Sequence, residues 1–154
     1  DKTLNKGDFL TMDFGCIYEG YCSDMTRTVA IGKASDSMKY VYDTVLKAQT
    51  ESMNMIKPGV RCNDVDAVAR RIIADAGYGD CFGHGLGHSV GLFIHENPRF
   101  SPKCDDILKP GIVITVEPGI YIPGQFGVRI EDLVVVTEDG YRNLTGSEKK
   151  LIEI

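Results

Sequence analysis

Residues 83–98 read GHGLGHSVGLFIHENP and contain all three histidines of this 154-residue sequence: His84, His88 and His95. Glycines rather than helix-forming residues separate the histidines, and glycine allows one backbone to approach another closely while leaving space beside a side chain. A single histidine is more often structural than a ligand, but three within twelve residues favour a binding site. The glycine pattern is not a dinucleotide-binding fingerprint, because G-x-G-x-x-G from Gly83 would need glycine at the position of His88.

The composition is that of one globular domain with 43% hydrophobic and 25% charged residues. No apolar run approaches the roughly 20 residues of a membrane span, and the first residues do not resemble a secretory signal, so we expect a cytoplasmic protein. The net charge is −5 and the basic residues are dispersed, which predicts no nucleic-acid or membrane partner. The five cysteines include no C-x-x-C pair and are interpreted as reduced packing residues.

The hydrophobic pattern predicts an α+β chain with strand-rich ends around a helical middle. We expect a hairpin over 9–32, a helix from Ser35 to Ile56, and a second helix with Asn63 as N-cap that stops at Gly77. Further strands are predicted at 82–95, 112–118 and 127–136, followed by a turn at 137–140 and a short return strand.

Two aspartates, Asp13 and Asp24, fall on the same face of the predicted hairpin if its loop has an even number of residues. A loop at Tyr18 and Glu19 places them directly opposite, and a loop at Glu19 and Gly20 makes them diagonal neighbours. Such close carboxylates repel each other unless a proton or a cation lies between them. The alternative is that both face solvent.

Two glutamates, Glu117 in GIVITVEPG and Glu131 in GVRIEDLVVV, stand in strands flanked by Val and Ile. An unpaired carboxylate is costly to bury there, so each needs a partner. Arg129 lies two residues before Glu131 and could form a salt bridge with it. That alternative does not account for Glu117, the aspartates or the histidines.

Together these residues predict a hydrolytic site with two divalent metal ions. Four carboxylates and one or two imidazoles form an oxygen-rich set suited to Mn²⁺, with Co²⁺ or Zn²⁺ as alternatives. The seven-residue separation of His88 and His95 allows one ring to bind metal while the other faces a substrate.

The segments MDFG…SDMTRT, GHGLGHSVGLFIHENP, VITVEPGIY and VRIEDLVVVT resemble the ordered motifs of the creatinase/aminopeptidase superfamily. The resemblance covers nearly the whole chain and is specifically to the Xaa-Pro aminopeptidase and prolidase branch. It implies a pita-bread fold, in which helices cover a curved antiparallel sheet, and hydrolysis of the bond between an N-terminal residue and proline.

The resemblance also implies a role for each candidate residue. Asp13 would bind one ion, Asp24 and Glu131 would bridge both ions, and His88 and Glu117 would complete the other. Glu117 would also shuttle a proton, and His95 would stabilise the oxyanion. His84 and Arg129 would support the metal ligands or face the substrate.

Two alternatives to the Xaa-Pro peptidase stay open. Methionine aminopeptidases share the seven-residue spacing from His88 to His95, but the extra His84 and the Arg129 of VRIED resemble the Xaa-Pro enzymes. A non-catalytic peptide- or protein-binding module with the same fold is disfavoured because all five ligands are present.

The domain assignment is that residues 1–154 form the C-terminal portion of a catalytic domain. The family domain is longer, so we expect an N-terminally truncated chain that is weakly active or inactive alone, and that associates into a homo-oligomer.

Overall fold

A computed structural model describes residues 3–154. Within that range it contains two α-helices and eleven β-strands. In chain order they are β1 (Phe9–Phe14), β2 (Ile17–Tyr18), β3 (Tyr21–Cys22), β4 (Met25–Ala30), α1 (Asp36–Asn54), α2 (Cys62–Asp75), β5 (Gly87–Ser89), β6 (Glu96–Phe100), β7 (Val113–Val116), β8 (Gly119–Ile122), β9 (Phe126–Arg129), β10 (Asp132–Val136) and β11 (Tyr141–Asn143). The α+β prediction is confirmed.

The N-terminal strands form the predicted hairpin, in which β1 pairs with β4 and β2 with β3. The loop is Glu19–Gly20, and both residues have positive φ, 50° and 88°, as a tight hairpin turn requires. Asp13 therefore lies opposite Thr26. Asp24 is two residues before Thr26, so the two aspartates are diagonal neighbours on one face of the hairpin. Of the two registers considered from the sequence, the diagonal one is confirmed.

Both predicted helices are present. The hydroxyl of Ser35 caps α1 by accepting a hydrogen bond from the Met38 N–H at 3.3 Å. The predicted N-cap of α2, Asn63, is wrong: the cap is Arg61, whose side chain does not cap the helix. The carbonyls of Asp106 and Cys104 satisfy the first free N–H groups instead, a tertiary contact that local sequence does not reveal.

Five antiparallel strands form the main sheet in the order β11-β10-β7-β5-β6. The predicted strand 82–95 is wrong in extent, because only Gly87–Ser89 is extended and paired there. The chain then turns: Gly91 N–H donates to the Phe93 carbonyl, and the Phe93 N–H donates to the Glu96 carboxylate. The next strand, β6, begins only at Glu96.

The predicted strand 127–136 is two strands rather than one. Pairing with β8 ends at Arg129, and β10 begins at Asp132 and pairs with β7. Between them the Glu131 N–H donates to the carbonyl of Thr26 at 3.0 Å. This change of partner joins the hairpin to the main sheet and fixes the backbone beside a candidate site residue.

The hydrophobic core lies between the two helices and the strands. Val45 of α1 and Ala69 of α2 are fully buried and belong to the same cluster as Ile114 of β7 and Val134 of β10. Each fully buried Val or Ile side chain stabilises the fold by about 1.5–3 kcal/mol. In the described range, no helix combines the length and apolar character needed to cross a bilayer.

All five cysteines are free thiols. The packing interpretation fits Cys62, which is fully buried in the core. It is wrong for Cys16, which is exposed because it lies beside the hairpin tip, beyond the cover of the helices.

Candidate metal centre

All eight residues singled out in the sequence line one pocket of about 520 Å³, which we call the acidic pocket: Asp13, Asp24, His84, His88, His95, Glu117, Arg129 and Glu131. The hairpin supplies the aspartates, β5 supplies His88, β9 supplies Arg129, and the other four residues lie in segments between strands. Ligand atoms from Asp24, His88 and Glu131 lie within 4.8 Å of one another, which is a separation that a single metal ion can span.

Glu131 is the most deeply buried acid of the acidic pocket, with 1% of its surface exposed. Its Oε2 accepts a hydrogen bond from the hydroxyl of Thr26 at 2.6 Å, but its Oε1 is buried without a partner. Burial, reinforced by the charge of Glu117, raises the pKa of Glu131 to about 8. Arg129 is not its partner, so the salt-bridge alternative considered from the sequence is wrong.

Glu117 follows β7 directly, and its N–H donates to the carbonyl of Leu86 at 2.8 Å. Its Oε1 accepts a hydrogen bond from the Thr115 hydroxyl at 3.0 Å and lies 3.3 Å from Nε2 of His88. Burial raises the pKa of Glu117 to about 7. A carboxyl with this pKa can both accept and release a proton near neutral pH.

His88 directs one ring nitrogen at the acids. Its Nδ1 lies 3.2 Å from the carbonyl of Ser89, which can accept a hydrogen bond from that nitrogen. Burial lowers the pKa of His88 and favours the neutral ring. Its Nε2 faces carboxylate oxygens of Glu117 and Asp24, at 3.3 and 3.6 Å, and can bind a metal ion when the proton of the neutral ring is on Nδ1.

Asp24 lies between the two paired segments of the hairpin, immediately before β4. Burial, followed by the nearby charge of Asp13, raises the pKa of Asp24. Asp13 itself is about half-exposed and forms a salt bridge with the guanidinium of Arg129. Because of this exposure, the bridge contributes at most about 1 kcal/mol to stability.

Arg129 links Asp13 to a chain of partly buried hydrogen bonds. Its Nε donates to the Thr26 hydroxyl at 3.1 Å and its Nη1 donates to the Tyr121 hydroxyl at 3.0 Å. The Tyr121 hydroxyl also lies 3.0 Å from Nε2 of His84. Since Nδ1 of His84 faces the Gly85 carbonyl at 2.8 Å, both nitrogens of this ring are held by protein groups.

His95 is the exposed histidine of the acidic pocket and lies in the irregular segment before β6. Its ring centroid is 4.4 Å from that of His88, in an edge-on arrangement. It is therefore close to the candidate ligands and accessible to a bound molecule.

The glycine-rich segment is anchored by an ion pair on α2. Asp66 is 1% exposed, accepts two hydrogen bonds from Arg70 and accepts a third from the Leu86 N–H at 3.0 Å. Arg70 in turn donates to the carbonyls of Phe82 and His84. Helix and segment are thus joined by fully paired polar groups, which orients the strand that carries His88.

Sequence reasoning missed Thr26, Thr115, Tyr121, Asp66 and Arg70. The first two are hydroxyls that bind candidate metal ligands, and the threonine pattern of a strand gives no sign of this. Tyr121 stands two residues after the EPG segment, so its position in VITVEPGIY was the available signal.

The residues of the acidic pocket fit divalent cations. An unpartnered buried oxygen on Glu131 is expected to cost about 1–3 kcal/mol. A cation coordinated by this oxygen would remove the penalty. The donor set of carboxylate oxygens with one imidazole nitrogen suits hard or borderline ions.

The sequence profile of metallopeptidase family M24 matches residues 1–138. An uncharacterized peptidase of Bacillus subtilis (strain 168) is 53% identical over 152 residues, 99% of this chain and 43% of that protein. The prolidase from Pyrococcus horikoshii OT3 superposes with a TM-score of 0.97 at 46% identity, over 99% of this chain and 44% of that one. A Bacillus anthracis Xaa-Pro dipeptidase gives 0.97 at 50% identity, over 99% and 43%.

The chain therefore spans less than half the length of these relatives. The predicted pita-bread fold and the resemblance to the Xaa-Pro branch of the creatinase/aminopeptidase superfamily are confirmed. The chain belongs to metallopeptidase family M24.

Proposed function

We propose that the protein containing this chain is a dinuclear-metal-dependent peptidase that cleaves the bond between an N-terminal residue and a following proline. The observation that carries the proposal is the partnerless, buried Oε1 of Glu131 within a cluster of acids that faces Nε2 of His88. Such a cluster is stable only if cations or protons neutralise it.

We assign five residues to two divalent ions: Asp13, Asp24, His88, Glu117 and Glu131. Asp13 would hold one ion, Asp24 and Glu131 would contact both, and His88 and Glu117 would hold the other. Mn²⁺ is the proposed metal, with Co²⁺ and Zn²⁺ as alternatives. When bound, the ions supply Lewis-acid activation of water and of the scissile carbonyl.

Glu117 is the proposed proton carrier. Its pKa of about 7 in the metal-free protein shows how strongly its buried position favours holding a proton, and its Oε1 faces the interior of the pocket beside His88. It would accept the proton of the attacking water and deliver it to the leaving nitrogen.

His95 is the proposed donor to the developing oxyanion, because its ring is exposed next to His88. His84 and Arg129 are proposed to act by position: both nitrogens of His84 and all three donor groups of Arg129 bind protein atoms. Their network would hold Asp13 and the Thr26 hydroxyl where the metal ligands need them.

The specificity for proline rests on the relatives: the proteins from Pyrococcus horikoshii and Bacillus anthracis are named prolidase and Xaa-Pro dipeptidase. Methionine aminopeptidase stays the alternative within the superfamily, and a non-catalytic binding module the alternative of another class.

The test compares turnover of Ala-Pro and Met-Ala peptides by the whole protein with Mn²⁺ added. The control is the same protein after a chelator has removed its metal. Release of alanine from Ala-Pro, dependent on metal, supports the proposal. Preferred cleavage of Met-Ala indicates the methionine aminopeptidase alternative. Binding of two ions per chain without turnover of either peptide indicates the non-catalytic alternative.

We further propose a cytoplasmic location, in keeping with cysteines that carry no disulfide pattern, and a homo-oligomeric state. Ile17, Tyr18 and Phe93 are each more than 70% exposed, Ile17 and Phe93 line a second pocket that shares Asp13, Asp24 and His95 with the acidic pocket, and apolar surface of this kind favours association. Light scattering of the whole protein measures the assembly.

A further inference from the structure

The N-terminus of α2 is capped by a distant segment rather than by its own residues. The N–H groups of Cys62 and Asn63 donate to the carbonyls of Asp106 and Cys104, both at 2.9 Å. The segment 101–106 follows β6 and turns through a hydrogen bond from the Cys104 N–H to the Ser101 carbonyl. Ser101 in turn lines the acidic pocket.

This capping arrangement brings two thiols together. Because Asn63 donates to the carbonyl of Cys104, the backbone next to Cys62 is in direct contact with the backbone of Cys104. Both side chains pack in the same hydrophobic cluster, and the Cys104 side chain lies close enough to the Cys62 thiol to help raise its pKa. Cys62 is fully buried, whereas Cys104 is partly exposed.

We propose that Cys62 and Cys104 form a reversible oxidation site, which a peroxide converts to a disulfide and a dithiol reductant restores. The disulfide would tie the first turn of α2 covalently to the segment that caps it. The proposal does not depend on the metal centre or on the proposed peptidase activity.

The partly exposed thiol reacts first. Burial raises the pKa of Cys62 to about 12, so its thiolate is scarce, while Cys104 can be reached from solvent. The Cys104 thiol donates a hydrogen bond to a carboxylate oxygen of Asp106 at 3.4 Å. Its sulfur attacks one peroxide oxygen, a sulfur–oxygen bond forms and the oxygen–oxygen bond breaks. The departing hydroxide takes up the thiol proton and leaves as water. The sulfur of Cys62 then attacks the sulfenic sulfur, and water leaves with the Cys62 proton. Two thiols lose two electrons, and hydrogen peroxide becomes two waters.

The test is peptide mapping after oxidation of the protein with hydrogen peroxide and alkylation of the remaining thiols. Trypsin releases residues 62–70 after Arg61, and residues 104–129 after Lys103 because Lys109 precedes proline; each peptide contains one cysteine. We expect these two peptides to be joined, with a combined mass lower by two hydrogens, and to separate again after dithiothreitol. Oxidation should also raise the midpoint of thermal unfolding.

Two variants make the outcome decisive. Cys104→Ser should abolish both the cross-linked pair and the rise in the unfolding midpoint, while Cys81→Ser, which leaves the pair intact, should behave like the unchanged protein. The proposal is overturned if Cys62 and Cys104 remain separately alkylated after peroxide treatment. It is equally overturned if Cys104 is found oxidised to sulfinic acid or joined to Cys16, Cys22 or Cys81.

Discussion

Replacing Glu131 by glutamine should stabilise the metal-free protein at neutral pH and weaken its binding of metal ions. Burial raises the pKa of Glu131 from 4.5 to about 8. The folded state therefore keeps a proton that the unfolded state releases, and the free energy of unfolding falls as pH rises from about 4.5 to about 8. Between pH 4.5 and pH 7, about 2.5 pH units, the free energy of unfolding falls by about 1.36 kcal/mol per unit, or by about 3 kcal/mol in total. Glutamine has no proton to lose, and its carbonyl can still accept the hydrogen bond from Thr26.

The assay is urea unfolding of chelator-treated protein between pH 5 and pH 8. Glu131→Gln should have a flatter stability profile than the unchanged protein, by about 2–3 kcal/mol between pH 5 and pH 7. Glu138→Gln, at an exposed position, is the matched control and should follow the unchanged protein. If the profiles of Glu131→Gln and the unchanged protein coincide, Glu131 is ionised at neutral pH without metal, and the reasoning from its buried oxygen fails.

Addition of Mn²⁺ should stabilise the unchanged protein more than Glu131→Gln. Metal binding requires deprotonated carboxylates, so the stabilisation that Mn²⁺ gives the unchanged protein should grow from pH 5 to pH 8. At a concentration of about 100 times the dissociation constant it amounts to about 2.7 kcal/mol per site. Glu131→Gln should gain clearly less. An equal gain in both proteins would show that Glu131 does not contact the metal.

Three other substitutions test the surroundings of the acidic pocket. In Gly87→Ala the new Cβ would stand 2.0 Å from the Thr115 carbonyl oxygen, so we expect a loss of about 1–3 kcal/mol or more in thermal unfolding, whereas Gly83→Ala, with no atom within 4 Å, should change stability by less than about 0.5 kcal/mol. Tyr121→Phe removes the hydroxyl between Arg129 and His84, and should lower kcat/KM for Ala-Pro about tenfold with metal content unchanged by elemental analysis. Asp66→Asn weakens the pairing of a buried carboxylate with Arg70, and urea unfolding should show a loss of about 2–3 kcal/mol.

The candidate ligands could be chosen from sequence because carboxylates and imidazoles in apolar or glycine-rich strands conflict with burial, and that conflict is visible in the residues themselves. That Asp13 and Asp24 share one face of the hairpin likewise follows from hairpin parity, which is local, whereas the choice of the diagonal register depends on the turn at Glu19–Gly20. The residues that hydrogen-bond to these candidate ligands and to Arg129 cannot be recognised from the sequence in this way. Thr26 and Tyr121 are ordinary strand residues, and only the folded chain shows that their hydroxyls bind Glu131 and Arg129.

Two boundaries of secondary structure that were predicted wrongly also depend on contacts that the local sequence does not show. The N-cap of α2 was assigned to Asn63 because asparagine is a common cap, but distant carbonyls satisfy the helix start. Residues 90–95 contain apolar side chains suited to a strand, yet the Glu96 carboxylate turns the backbone by binding the Phe93 N–H. In both places a tertiary or medium-range hydrogen bond outweighs the local preference, which alternation alone cannot predict.

The breaks in strand pairing explain why the acids converge. Asp24 precedes β4, Glu117 follows β7, and Glu131 lies between β9 and β10. At two of these points the backbone N–H leaves its strand partner: that of Glu117 donates to Leu86, and that of Glu131 donates to Thr26. A residue within a regular ladder must alternate strictly between the two faces of its sheet, whereas a residue at a change of partner is free of that constraint. The breaks thus direct carboxylates from separate strand pairs into one pocket, where their mutual repulsion makes the metal-free state costly and gives bound cations their advantage.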